Sequence, residues 1–155
     1  EEEPLGTAGA VKLLPDKFED LPILLVNGDI LTKVDFRRLL EFHEEQKSQL
    51  TMGVREFDYQ VPYGVVEMSD LSVKTLIEKP VYHFFVNAGI YIFRRQLIDE
   101  QYTGESVDMT EIVNAQLQKR SSVNAYPIHE YWIDVGMIEQ YKQAQIDMAT
   151  VPRGE

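Results

Sequence analysis

Residues 21–26 (LPILLV) form a nearly unbroken apolar run that stops at Asn27-Gly28-Asp29. A short run of this kind, bounded by turn residues, reads as a buried strand in a parallel sheet. Residues 35–46 follow, with Phe36, Leu39, Leu40 and His43 at helical spacing and charges between them. That pattern predicts an amphipathic helix, with Asp35 as its N-cap. Residues 50–54 read as the next strand. Strand, helix, strand in that order is a βαβ unit, which predicts an α/β domain: a mainly parallel sheet with helices on its faces.

The rest of the chain fits one such domain. Its 155 residues suffice for a single core, expected over 1–150 with a frayed tail at 151–155. Residues 63–68 and 73–78 read as a hairpin around Ser69-Asp70. Residues 84–93 (FFVNAGIYIF) read as a strand with an irregularity at Gly89. Asp108 with Glu111 three residues later predicts a capped helix. Residues 123–128 and 132–135 read as extended, and 136–149 as a closing helix. At the start, residues 5–10 (LGTAGA) read as a loop entering a helix near Thr7, with no strand before it. The expectation is a domain entered part-way, truncated at its N-terminus.

Charge and composition exclude several functions. The formal net charge is −11, which opposes a nucleic acid, whose affinity comes from Lys and Arg neutralising phosphates. A phosphorylated small molecule remains compatible, because a metal ion inverts the local charge balance. With no cysteine, disulfides, thiolate catalysis and Cys-based zinc sites are ruled out. There is neither an apolar run of membrane-spanning length nor an opening signal-peptide pattern, so a cytoplasmic protein without a membrane partner is expected.

The candidate site residues each admit two readings. Asp29 follows the most apolar strand, where α/β sheets bind ligands; a carboxylate there suits a hard cation, but Asp beside Asn-Gly is also an ordinary turn. Asp134, in residues 131–136 (YWIDVG), is either a second cation ligand or an N-cap. Glu78-Lys79-Pro80 ends a strand: Glu78 can accept sugar hydroxyls and Lys79 can hold a phosphate, or the two form an exposed ion pair. Gly6-Thr7-Ala8-Gly9-Ala10 brings backbone N–H groups near a ligand, or packs as a small-residue loop. Tyr63-Gly64 is a tight turn or a substrate-facing glycine. His43, His83 and His129 show no metal-ligand spacing, and His43 reads as structural.

Taken together, EEEPLGTAGA (1–10), VNGD (26–29), YGVVE (63–67), EKP (78–80), NAGIYIF (87–93) and WIDVG (132–136) resemble the sugar nucleotidyltransferase family, especially its mannose-1-phosphate guanylyltransferase-like members. The resemblance implies a Rossmann-like nucleotidyltransferase fold and the joining of a nucleoside triphosphate to a sugar 1-phosphate, with release of pyrophosphate. It implies that Leu5, Gly6, Thr7 and Ala8 line the nucleobase pocket, and that Asp29 and Asp134 hold a catalytic Mg²⁺. Gly28, Tyr63, Gly64, Asn87, Gly89 and Trp132 would line the substrate site; Glu78 would bind sugar hydroxyls and Lys79 the sugar phosphate. GTP and mannose 1-phosphate are the expected pair. The family's glycine-rich GxGTRL-type loop is not in these residues, so the chain alone is expected to be inactive and to self-associate through an open sheet edge. A non-catalytic binding module of the same fold is the alternative.

Overall fold

The computed structural model describes residues 5–15, 21–101 and 106–150. The acidic start at 1–4 and the tail expected to fray at 151–155 lie outside the described residues.

Leu5 leads into a four-residue helix α1 (Gly6–Gly9), followed by a 3-10 turn (Ala10–Leu13). Then come β1 (Pro22–Val26), β2 (Ile30–Thr32), α2 (Phe36–Glu45), β3 (Leu50–Gln60), β4 (Val65–Ser69), β5 (Ser72–Ile77) and β6 (Val81–Arg94). The chain closes with α3 (Gln96–Gln101), α4 (Met109–Gln118), β7 (Val123–Pro127), β8 (Trp132–Asp134) and α5 (Ile138–Thr150). Asp35 caps α2 as expected, its side chain accepting from Arg37 N at 2.9 Å and Arg38 N at 3.3 Å.

The central sheet has the order β1-β6-β3-β7. β6 is antiparallel to both β1 and β3, whereas β3 and β7 are parallel. Thus β1, β3 and β7 run one way and β6 alone runs back between them. The mixed α/β architecture agrees with the sequence reading, but the strands of the expected βαβ unit are not neighbours. β6 separates them because its all-buried segment from Ala88 to Phe93 needs a partner on each side. Two clusters cover the two faces. Tyr91 and Phe93 pack with Ala8, Val11, Ile98, Met109 and Ile112 on one face. Ile90 and Ile92 pack with Val34, Leu39 and Ile128 on the other. This alternation is the period-2 pattern of a strand.

A break in register shapes the site end of the sheet. Met52 pairs with Tyr91, but Val54 pairs with Asn87. Gly53 alone therefore faces Ala88, Gly89 and Ile90, and β6 bulges. Gly89 sits at φ +68°, where a Cβ would lie 2.8 Å from Asn27 Nδ2. Beyond this bulge β3 and β6 continue as a two-stranded ribbon, from Val54↔Asn87 to Gln60↔Val81. The ribbon carries the separate β4–β5 hairpin at its end. The sequence reading ended β3 at residue 54 and started β6 at residue 84, so it missed most of this ribbon, together with β2 and α3.

Candidate active site

At the carboxyl end of β1 the chain turns sharply. Asn27 O accepts from Ile30 N at 3.2 Å, leaving Gly28 and Asp29 as the central turn residues. The turn feeds β2, which pairs with β8 so that Ile30 faces Asp134. One rung further, Asp29 O accepts from Val135 N at 2.8 Å. Asp29 and Asp134, more than a hundred positions apart, therefore stand on adjoining rungs of one ribbon. Asp29 is exposed and Asp134 half-buried. One Asp134 oxygen accepts from Gly136 N at 2.9 Å. This bond caps the approach to α5, and it leaves the second carboxylate oxygen for another partner.

Gly28 and Asp29 form a wall between two clefts. One, of about 510 Å³, is lined by Ile30, Leu31 and Val135 together with Tyr141, Ala144 and Met148 of α5. The other, of about 540 Å³, is lined by Thr7, Ala10, Leu25, Val26 and Asn27. The second cleft brings the residue 5–10 loop to Asp29. The loop is held from behind: Val107 N donates to Leu5 O at 2.9 Å and Ala8 N to Val107 O at 3.0 Å. Asp108 Oδ1 accepts from Thr7 N at 2.9 Å and from the Thr7 hydroxyl at 3.2 Å. Thr7 Oγ1 in turn accepts from Met109 N at 2.9 Å. Gly6, at φ +77°, passes so close to Val107 that a Cβ would lie 2.5 Å from its carbonyl oxygen. The Thr7 and Ala8 amides, read from sequence as ligand donors, are thus spent inside the chain. Their loop is a clasped wall of the cleft.

The bulge in β6 completes this end. Asn27 N donates to Gly89 O at 2.8 Å, and Trp132 Nε1 donates to Ala88 O at 2.9 Å. Asn87 Oδ1 accepts from Gly89 N at 3.1 Å, and Asn87 Nδ2 donates to the Tyr91 hydroxyl at 2.5 Å. Burial raises the Tyr91 phenol's pKa, and this hydrogen bond partly opposes the rise.

A second group gathers at the foot of the hairpin. Lys79 N donates to Tyr63 O at 3.2 Å, and a Cβ on Gly64 would lie 3.0 Å from Glu78 Oε2. Tyr63, Gly64, Glu78 and Lys79 are therefore neighbours, and all are exposed. They stand six residues of β6 from Asn87, about 20 Å along the strand at roughly 3.3 Å per residue. The candidate residues thus form two groups joined by the ribbon. Sequence reading placed Asp108 only as a helix cap and gave Tyr91 no role, because their parts here depend on contacts with residues 7 and 87.

Residues 1–151 match the family described as nucleotidyl transferase. The chain belongs to that family. It is 31% identical to a glucose-1-phosphate adenylyltransferase of Clostridium botulinum, over 92% of this chain and 41% of that protein. It is 29% identical to a mannose-1-phosphate guanyltransferase of Yarrowia lipolytica, over 91% of this chain and 40% of that protein. Among solved structures, HddC from Yersinia pseudotuberculosis complexed with GMP-PN superposes with a TM-score of 0.67 at 27% identity, over 96% of this chain and 64% of that one. The chain thus spans about two fifths of these two relatives' length, and the sugar nucleotidyltransferase resemblance read from its motifs agrees with them. Among the described residues no helix is long and apolar enough to cross a membrane.

Proposed function

We propose that this protein transfers a nucleotidyl group from a nucleoside triphosphate to a sugar 1-phosphate, giving a nucleoside diphosphate-sugar and pyrophosphate. The observation that carries this reading is the placement of Asp29 and Asp134 on adjoining rungs at the carboxyl end of β1, with Asp29 on the wall between two clefts. An all-oxygen donor pair, one exposed and one half-buried, fits Mg²⁺, which keeps several waters and takes one or two carboxylates. Bound there, Mg²⁺ would supply charge neutralisation between the reacting phosphates.

The chain's own residues do the positioning. The clasped 5–8 loop forms the nucleobase wall and presents its outer surface to the cleft beside Asp29. Asn87, its amide bonded to the Tyr91 hydroxyl and to Gly89 N, holds the shape of the bulge that borders the sugar site. Gly64 leaves room for a sugar hydroxyl beside the Glu78 carboxylate, and Lys79 places a point charge for the sugar phosphate. The sugar phosphate oxygen attacks the α-phosphorus and pyrophosphate leaves, so no protein nucleophile is required. Catalysis rests on positioning and electrostatics. For one compact substrate to meet both groups, the ribbon must fold the hairpin foot toward Asn87.

GTP and mannose 1-phosphate are our proposed pair, supported by the loop sequence and by the guanyltransferase relative. Self-association belongs to the same reading: among the described residues β1 pairs on one side only, with β6, and an open edge invites another strand. The test is a matrix of nucleoside triphosphates against sugar 1-phosphates on the protein at its native length, reading pyrophosphate. Release that needs both substrates and Mg²⁺ is expected. Tight nucleotide or sugar-phosphate binding without pyrophosphate from any pair would point to a binding module instead.

A further inference from the structure

The ribbon formed by β3 and β6 has two different faces. Directly paired residues share a face, so Phe57 with Phe84 and Tyr59 with Tyr82 make one aromatic side. The opposite side carries Asp58 paired with His83, and Glu56 one step away on the same side of β3. His83 Nδ1 lies 2.6 Å from Asp58 Oδ1. Donor atoms of Glu56, Asp58 and His83 all lie within 4.8 Å of one another, and all three residues are exposed.

An ion pair accounts for only two of these side chains. Glu56, two residues from Asp58 on β3, adds a second carboxylate to the same face, and the two like charges repel. The set then carries two negative charges against at most one positive, and a dication resolves that excess. Its composition is also selective. One imidazole with two carboxylates differs from the oxygen-only pair Asp29 and Asp134, and imidazole donors favour Zn²⁺ and its neighbours over Mg²⁺ or Ca²⁺. Bonds of about 2.0–2.2 Å in a tetrahedron put ligand atoms roughly 3.4 Å apart. Asp58 and His83 are already inside that separation and need only open slightly. The Glu56 donor oxygen lies within 4.8 Å of both, a span that an exposed side chain adjusts by a rotamer change.

We propose that Glu56, Asp58 and His83 form a site for one Zn²⁺-type divalent cation, separate from the Asp29–Asp134 pair. Asp58 and His83 are fixed opposite each other by the ladder, and water completes the coordination. The cation pins β3 to β6 where, among the described residues, no third strand supports them, between Asn87 and the Glu78–Lys79 foot.

The test is calorimetric titration of the chain with Zn²⁺ alone, in buffer holding excess Mg²⁺ to fill oxygen-only sites. One equivalent is expected to bind, with a rise in thermal midpoint. His83→Ala and Glu56→Gln should each weaken Zn²⁺ at least about 100-fold, because loss of even an outer-shell partner costs 10–100-fold. The double variant Asp29→Asn/Asp134→Asn should bind as before. A shift of the His83 ring resonances with Zn²⁺, read by NMR, locates the ion independently of any variant's folding. No saturable binding would overturn the proposal, as would equal affinity in His83→Ala or loss of binding in the double variant.

Discussion

Trp132 Nε1 donates to Ala88 O at 2.9 Å, tying the start of β8 to the bulge in β6. That bond fixes where β8 lies, and so where Asp134 stands relative to Asp29, Asn87 and Gly89. Removing the indole leaves a carbonyl at the bulge without its donor, although Ala88 itself is fully buried. Trp132→Phe should therefore cost about 1–3 kcal/mol, read by urea denaturation. Unchanged stability would mean the ribbon is held by its backbone ladder alone.

Gly89 tests the bulge directly. Its φ of +68° and the 2.8 Å approach of Asn27 Nδ2 to a would-be Cβ exclude any side chain. Gly89→Ala should destabilise the fold by about 1–3 kcal/mol, the usual cost of a strained backbone residue. Gly28→Ala is the control, since a Cβ there meets nothing within 4 Å. Equal denaturation midpoints for the two variants would refute this account of the bulge.

Lys79 and the two aspartates test the proposed chemistry. In the native-length protein, Lys79→Met should raise the KM for sugar 1-phosphate and lower kcat/KM by roughly 10- to 150-fold. That is the equivalent of about 1.5–3 kcal/mol for a charged hydrogen bond. Asp29→Asn or Asp134→Asn should lower kcat by about 10²–10³-fold, the range for losing one preorganised electrostatic stabiliser, with the fold intact by circular dichroism. Wild-type turnover in either aspartate variant would remove that residue from the site.

His43 is buried, with Nδ1 2.8 Å from Thr51 Oγ1. Burial, helped by Arg94, lowers its pKa below 6.5. The unfolded chain takes up a proton there more readily than the native one. The associated stability is therefore complete above pH 6.5 and is lost as pH falls through the lowered value. Thermal midpoints should fall below that pH, and less so in His43→Gln. Parallel curves for the two proteins would contradict the assignment.

Tyr131 predicts the opposite limb. Its hydroxyl donates to Asp147 Oδ2 at 2.7 Å. Burial, with Asp147 adding to it, pushes its pKa from 10 up to about 12. Stability from the neutral phenol is full below pH 10 and is lost as pH rises toward about 12. Phenolate absorbance should show a tyrosine titrating toward about 12 that Tyr131→Phe removes.

Local signals were readable in the sequence, and pairings were not. The apolar run before Asn27, the cap at Asp35 and the Asp108–Glu111 pair, seen as Asp108 N donating to Glu111 Oε2 at 3.2 Å, each need only a few neighbouring residues. So does the irregularity expected at Gly89. The insertion of β6 between β1 and β3 is a choice among partners far apart in the chain, and no local pattern encodes it. β2 is three residues long, too short for any periodicity, and exists because β8 is there to pair with it. Residues 55–60 (REFDYQ) alternate charge and aromatic without a buried face, so they gave no core signal. His83 showed no ligand spacing because its acidic neighbours belong to another strand.

The clasp between Thr7 and Asp108 also bears on how the polypeptide matures during synthesis. Leu5, Thr7 and Ala8 are held by hydrogen bonds to residues 107–109, and β1 pairs with β6 at residues 90–94. A nascent chain on the ribosome must therefore carry β1 without its β6 partner until some seventy further residues have emerged, several seconds at roughly 5–20 residues per second. During that interval the β1 edge that β6 will cover is open to chaperone holdases and to neighbouring nascent chains. Slowing elongation between β1 and β6 should lower soluble yield without altering the stability of molecules that do fold.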